Sequence, residues 1–320
     1  MPLFEATYFT TSDNRFFPGT VALINSLRLT GNPGEVVVFD LGLSEVQRRR
    51  LSTVATVQAP PSVRDGAPKV LPYSNGTLGR IVVIDSDMLV VASLNDMLGE
   101  VEQGKICLYP DPDQRWFEEW REAFDLTAPP RQQRYLNSGF VAFSVERWPR
   151  LLERWAKANR RLPHERSTHP ENPFRDVDQD ALNAILMSEI PPDAVSLQPA
   201  WAHSHPDTLT RVRIVDERDL TCTYEERRVT ILHHSLRPKM WEPLGWQRDP
   251  RQAYVRLLRR VLRWDDVPLR LEDHELPLWL RQSTMGRLAF RGLTIGHATP
   301  GAKGAVKAAI RAGRAIRRSG

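Results

Sequence analysis

Short apolar runs recur along the first two-thirds of the chain, separated by stretches whose apolar residues repeat with helical spacing. The clearest run is Arg80-Ile81-Val82-Val83-Ile84, whose four β-branched residues read as a strand buried on both faces, as in the middle of a parallel sheet. Residues 3–10 predict an opening strand, 35–40 a second and 54–57 a short third. Residues 105–109 and 135–143 predict two more, the latter with Gly139 inside, a sign of a bulge or of close backbone approach. Residues 229–232 read as a final buried strand ending at His233. Between these lie a polar loop over 11–15 and a helix entered at Pro18-Gly19 and running through Leu23 and Leu27. Ser44 with Gln47 three residues on has the form of a capping box and starts another helix. Further helices are predicted over 148–161 and from Asp176 through Leu186, whereas 110–134 is irregular and rich in Pro and Trp. This rhythm predicts an α/β fold with a parallel sheet and helices on both faces.

The 320 residues suffice for one large α/β domain with a modest appendage. No apolar run approaches the roughly 20 residues of a membrane span. The opening residues lack the basic start and cleavage site of a signal peptide, and only Cys107 and Cys222 are present. Both features argue against a disulfide framework and for a reducing cytoplasm. Charge is unevenly spread. No acid follows Glu275, and residues 281–320 hold nine Lys and Arg; removing those nine from the overall +5 leaves −4 on residues 1–280. A nucleic-acid-binding role is therefore not expected, because the basic character is confined to a tail.

Four Asp-x-Asp triplets occur: Asp85/Asp87, Asp111/Asp113, Asp176/Asp178 and Asp178/Asp180. Only the first ends a strongly apolar strand. Extended geometry would send Asp85 and Asp87 to one side, where two hard oxygen donors suit Mg²⁺ or Mn²⁺ with a phosphorylated substrate. A helix cap or solvated turn would use the same residues. A haloacid-dehalogenase-type phosphatase also presents an Asp-x-Asp after a strand, but on its first strand and with a later acidic strand end. Here the only later Asp-Asp doublet, Asp265-Asp266, follows Arg263-Trp264. His233, at a buried strand's end, could complete a cation site or be a structural histidine, and Lys239 six residues on could reach a phosphate. Asn137-Ser138 and Asp178-Gln179 could hydrogen-bond sugar hydroxyls or form a turn and a helix start. Asp13 and Asn14 could contact a nucleoside or form an Asx turn.

Taken in order, these segments resemble the family 8 glycosyltransferases, the GT-A group with glycogenin-like and bacterial lipopolysaccharide sugar transferases. The resemblance runs over residues 5–245 through Thr11-Ser12-Asp13-Asn14, Phe39-Asp40-Leu41-Gly42, Ile84-Asp85-Ser86-Asp87, Leu136-Asn137-Ser138-Gly139-Phe140, Asp178-Gln179-Asp180 and His233 to Trp241. It implies a GT-A-type, Rossmann-like α/β domain over 1–245 with a mixed, mainly parallel sheet. A C-terminal helical extension (246–300) and a basic tail (301–320) would follow. It also implies Asp85, Asp87 and His233 as ligands of Mn²⁺ (or Mg²⁺), with His234 as an alternative to His233. Thr11, Asp13 and Asn14 would hold uridine, Lys239 would contact the diphosphate, Ser86 would belong to the donor-binding residues, and Lys69 would stand for the basic residue that the family places before the metal strand. Asn137 and Ser138 would contact the donor sugar, and Gln179 and Asp178 would stand nearest its anomeric carbon. The family's Lys-Pro-Trp appears as Lys239-Met240-Trp241, and its preceding glycine is replaced by Leu236 and Arg237. These departures bear on loop closure and donor choice.

The implied reaction is retaining transfer of a hexosyl group from a UDP-sugar to a hydroxyl of a glycan or lipid-linked glycan. Front-face attack is expected, with double displacement through Asp178 as the lesser alternative. A catalytically inactive nucleotide-sugar-binding protein of the same fold is the main rival. In the tail, Lys303, Lys307, Arg311, Arg314 and Arg318 recur at helical spacing and suggest peripheral contact with an anionic membrane at its inner, cytoplasmic face, or else a solvated tail.

Overall fold

The computed structural model describes residues 3–59, 79–162, 174, 176–205 and 208–298. Lys69 and the tail 301–320 lie outside the described residues. The strands are β1 (Thr7–Ser12), β2 (Val36–Asp40), β3 (Thr56–Gln58), β4 (Arg80–Ile84), β5 (Met88–Val90), β6 (Ile106–Pro110), β7 (Leu136–Ser144), β8 (Val195–Leu197) and β9 (His203–Ser204), followed by β10 (Arg213–Asp216), β11 (Thr221–Tyr224), β12 (Arg227–Arg228) and β13 (Ile231–His233). The helices are α1 (Phe17–Leu29), α2 (Glu45–Leu51), α3 (Asn95–Glu102), α4 (Trp120–Ala123), α5 (Leu151–Asn159), α6 (Val177–Ser188), α7 (Ala253–Arg263) and α8 (Thr284–Ala298).

A seven-stranded sheet in the order β3-β2-β1-β4-β7-β6-β8 forms the centre. All its pairings are parallel except those of β7, which runs antiparallel to β4 and β6. The mixed, mainly parallel sheet that the resemblance implies is therefore present, with a reversal at β7 that the strand–helix rhythm alone does not indicate. The reason is local: Pro110 pairs with Leu136, so the irregular 111–135 segment closes like a hairpin loop and returns the chain at the edge it left. The ends of β1, β4 and β6 and the start of β7 consequently share one edge. The opening strand also differs from expectation. Thr11 and Ser12, placed by sequence in a polar loop, continue β1 because they pair with Phe39 and Asp40.

Pleating divides the core. In β4, Val82 and Ile84 pack on the side of α1, α3 and α7, whereas Ile81 and Val83 pack against α4, α5 and α6. Tyr8 of β1 joins the first cluster and Phe9 the second. The capping box at Ser44 and Gln47 forms as predicted. Residues beyond 246 are stitched to the sheet through α1: the buried Asn25 amide donates to the carbonyls of Val261 (2.6 Å) and Leu269 (2.8 Å), and its oxygen accepts from Leu269 N–H. Two small sheets complete the fold, β10-β11-β12 and β5-β13-β9.

Candidate functional site

The sheet edge built from β1, β4, β6 and β7 collects the polar residues. After Ile84 the chain turns. Met88 N–H donates to the Asp85 carbonyl (3.2 Å), and Asp85 N–H donates to the Gly139 carbonyl (2.8 Å). Asp85 and Asp87 thus meet across a turn, not along an extended pleat as expected from sequence, because the chain leaves the main sheet here. β5 then pairs antiparallel with β13, setting Met88 opposite His233. His233 Nε2 comes within 3.2 Å of Asp87 Oδ1, which is buried without an aligned hydrogen bond. Asp85, Asp87 and His233 offer ligand atoms all within 4.8 Å of one another. Two carboxylates and an imidazole are a donor set that fits Mn²⁺ or Mg²⁺.

Lys239 lies on the other side of Asp87. Its Nζ stands 2.5 Å from Asp87 Oδ2 and donates to the His234 carbonyl at 2.7 Å. Burial alone would push the Asp87 carboxyl up, but the His233 ring and the Lys239 ammonium outweigh it and hold it well below the usual carboxylate range. His234 is turned away from the carboxylates towards Tyr254, with ring centroids 5.2 Å apart. Burial, with the Lys239 charge, lowers its pKa to about 4. Of the two adjacent histidines, His233 is the one brought to the acid pair.

Asp85 and Asp87 line two cavities at once. One, of about 300 Å³, is walled by Thr11, Ser12, Asp13, Phe16 and Ser86. The other, of about 540 Å³, is walled by Asn137, Ser138, Asp178, Gln179, His205 and His233, among others. Asp13 faces the smaller cavity while its Oδ1 accepts from the N–H groups of Arg15 and Phe16, both at 2.8 Å, the Asx turn that leads into α1. Asn14 is not brought to this group: its Oδ1 accepts from Gln47 and the residue lines a separate cavity with Trp241 and Glu242. Larger cavities of about 740 and 690 Å³ lie elsewhere and contain neither member of the acid pair.

The wall of the larger site cavity is a fixed polar lattice. Asp111 Oδ2 accepts from Asn137 Nδ2 (2.9 Å) and Gln179 Nε2 (3.1 Å). Ser138 N–H donates to Gln179 Oε1 at 3.0 Å, so both ends of that amide are held. The Asp178 carbonyl accepts from Trp155 Nε1 at 2.7 Å, anchoring the start of α6. Gly139 sits where no side chain fits: a Cβ there would stand 2.6 Å from Met88 Cε and 2.7 Å from Asp85 Oδ2. The close approach read from the glycine in this strand is thus real. Ordered contacts also tie the segment after His233 over α1. Trp241 Nε1 donates to the Arg15 carbonyl at 2.8 Å, and Arg15 pairs with Glu242 at 2.8 Å.

Three residues at the site carry no local signal in the sequence. Asp111 appeared only as one of four Asp-x-Asp triplets. His203 opens β9, which pairs parallel with β13 and sets Ile231 opposite His203, and His205 directly follows that strand. Burial lowers both, His203 well below the usual imidazole range and His205 to about 4.

No family model matches this chain, and no curated protein matches it. Solved structures do. The bifunctional glycosyltransferase WbbM, in its apo structure, is 13% identical with a TM-score of 0.53; the alignment covers 91% of this chain and 52% of that one. The galactosyltransferase LgtC, in complex with donor and acceptor sugar analogues, is 14% identical with a TM-score of 0.50, covering 81% of this chain and 98% of that one. This chain therefore spans about half the length of WbbM and nearly all of LgtC. The mixed, mainly parallel α/β architecture is one that solved glycosyltransferases share.

Proposed function

We propose that the protein is a metal-dependent, retaining glycosyltransferase that moves a hexosyl group from a UDP-sugar to a hydroxyl of a glycan or lipid-linked glycan. The observation that carries this reading is the place of Asp85 and Asp87 in the wall common to two cavities. A nucleoside diphosphate sugar has that shape: an anionic diphosphate with a nucleoside on one side and a sugar on the other. Thr11 and Asp13 face the nucleoside, with Ser86 beside the diphosphate. Asn137, Ser138, Asp178 and Gln179 face the sugar. When bound at Asp85, Asp87 and His233, Mn²⁺ or Mg²⁺ supplies Lewis-acid stabilisation of the leaving diphosphate. Lys239 contributes to that charge balance only by exchanging its Asp87 contact for the phosphate. The Gln179 amide is no nucleophile, and its hydrogen bonds to Ser138 and Asp111 make it a positioning group for the anomeric centre. Front-face attack by the acceptor therefore fits better than double displacement through Asp178.

The transferase unit is residues 1–245, braced through α1 by the extension that follows. A membrane-linked acceptor is supported by α8, whose Met285, Leu288 and Ile295 are exposed with Arg287 and Arg291 beside them. No helix among the described residues is long and apolar enough to cross a membrane.

The direct test is a panel of nucleoside diphosphate sugars incubated with the protein and Mn²⁺, reading release of free sugar. Metal-dependent hydrolysis of a UDP-sugar is expected, abolished in Asp87→Ala with the circular dichroism spectrum retained. Hydrolysis unchanged in Asp87→Ala, or absent with every donor, would overturn the reading.

A further inference from the structure

His203, His205 and His233 form a second group of convergent donors, with ligand atoms all within 4.8 Å of one another. Their rings pack closely: centroids lie 4.1 Å apart for His203 and His205, 5.3 Å for His203 and His233, and 5.7 Å for His205 and His233. A packed trio of structural histidines would be expected to spend its ring nitrogens on hydrogen bonds. These do not. Both nitrogens of His203, which is 2% exposed, are without a partner among the described residues, as are His205 Nε2 and His233 Nδ1. A buried polar nitrogen without a hydrogen bond is destabilising, so four in one cluster call for a ligand. His205 and His233 also line the 540 Å³ cavity, which supplies a route of entry and an open coordination position.

We propose that His203, His205 and His233 constitute a site for a nitrogen-preferring transition-metal ion, Zn²⁺ by choice, distinct from the carboxylate group and sharing only His233 with it. Three imidazoles and no carboxylate select Zn²⁺ over Mn²⁺ and Mg²⁺, both through ligand type and through the order of intrinsic affinities. Nitrogens around one tetrahedral ion at about 2.0–2.1 Å stand roughly 3.4 Å apart, so from separations within 4.8 Å the trio closes by at most about 1.4 Å. Rotation of the His203 ring, neither nitrogen of which has a hydrogen bond among the described residues, provides much of that movement. A neutral imidazole has one lone pair, so an ion here withdraws His233 from Asp85 and Asp87. Only this competition rests on the reading of the acid pair as cation ligands; the trio's own affinity does not.

The test measures binding and does not depend on turnover. Zn²⁺ affinity is read by competition with a chromophoric chelator, coordination by the visible absorption of Co²⁺, and Mn²⁺ binding by electron paramagnetic resonance. The full chain is expected to bind Zn²⁺ and to give the intense Co²⁺ spectrum of a four-coordinate site. His205→Ala, at a half-buried position, and the milder His203→Gln should each weaken Zn²⁺ about tenfold or more. Asp85→Asn should lose Mn²⁺ and keep Zn²⁺. Zn²⁺ should weaken Mn²⁺ binding at lower concentration in the wild type than in His205→Ala, where it competes only at the carboxylate group. Equal Zn²⁺ affinity in wild type and both histidine variants, or joint loss of Zn²⁺ and Mn²⁺ in Asp85→Asn, would overturn the proposal. Zn²⁺ binding without any Mn²⁺ binding would sustain this site and count against the functional reading above.

Discussion

Lys239 and Asp87 form a buried ion pair across 152 residues of chain, with Nζ 2.5 Å from Oδ2, while the other carboxylate oxygen faces His233. The pair balances a carboxylate that burial would otherwise protonate. Removing one partner of such a pair leaves an unpaired buried charge, which costs about 3–5 kcal/mol. Lys239→Met should therefore lower stability by that order in urea denaturation with chelator present. Mn²⁺ should restore part of the loss, because a divalent ion at Asp85, Asp87 and His233 takes over the balancing charge. A variant as stable as wild type in chelator would show that the pair does not hold this charge.

Asp111 orients two amides at once, through Asn137 and Gln179. Asp111→Ala frees both, and loss of such positioning typically costs one to two orders of magnitude in rate, so kcat for donor hydrolysis should fall about 10- to 100-fold. Asp111→Asn should fall between, since its single oxygen must serve these amides and the Asp113 N–H now held at 2.9 Å. Equal kinetics in all three proteins would remove Asp111 from the site.

Gly139→Ala tests the close approach behind the acid pair. The new methyl group would press on Asp85 Oδ2, Met88 Cε and Asn137 Oδ1, at 2.7, 2.6 and 2.9 Å from its carbon. Overpacking of this kind costs about 1–3 kcal/mol. Because two of the three neighbours are site groups, Mn²⁺ affinity should drop more steeply than stability, as electron paramagnetic resonance and thermal melting would show together.

Which parts of this arrangement could be read from the chain depends on how local their causes are. The buried strand at 80–84 is written in consecutive residues, and so is the Ser44–Gln47 cap. That Asp85 and Asp87 face one another was correct for the wrong geometric reason: a turn at the strand's end does what a pleat was expected to do. The reversal of β7 was not legible, because it depends on the pairing of Pro110 with Leu136 across a loop without regular periodicity. Asp111 looked like three other triplets until that pairing placed it beside Asn137. His203 lies on a two-residue strand, with His205 directly after it, and the strand's partner, β13, is almost 30 residues further on. No window of sequence contains both.

α8 presents Met285, Leu288 and Ile295 to solvent, with arginines 287 and 291 alongside. Replacing the three apolar residues by Ser should weaken co-sedimentation with anionic phospholipid vesicles more than about tenfold, since even one fully buried apolar side chain contributes about 1.5–3 kcal/mol. Hydrolysis of a soluble donor should be unaffected. Unchanged sedimentation would assign membrane contact, if any, to other residues.

Asp180 follows Gln179 in α6, fully buried, and accepts from Tyr135 Oη at 2.6 Å. Burial pushes its pKa up to about 6; the Tyr135 hydrogen bond and the Arg115 charge offset this only in part. The folded protein thus holds this proton more tightly than the unfolded chain, so the associated stability is present below about pH 4 and is lost as the pH rises through about 6. Above that pH an ionised Asp180 is a burden of about 2–3 kcal/mol, at roughly 1.4 kcal/mol per pKa unit. Asp180→Asn keeps an oxygen for Tyr135 and cannot ionise. Urea midpoints should therefore rise above wild type at pH 7–8, with the advantage shrinking towards pH 4. A difference between the two proteins that stays constant from pH 4 to 8 would mean that the charge on Asp180 is not what burial acts upon.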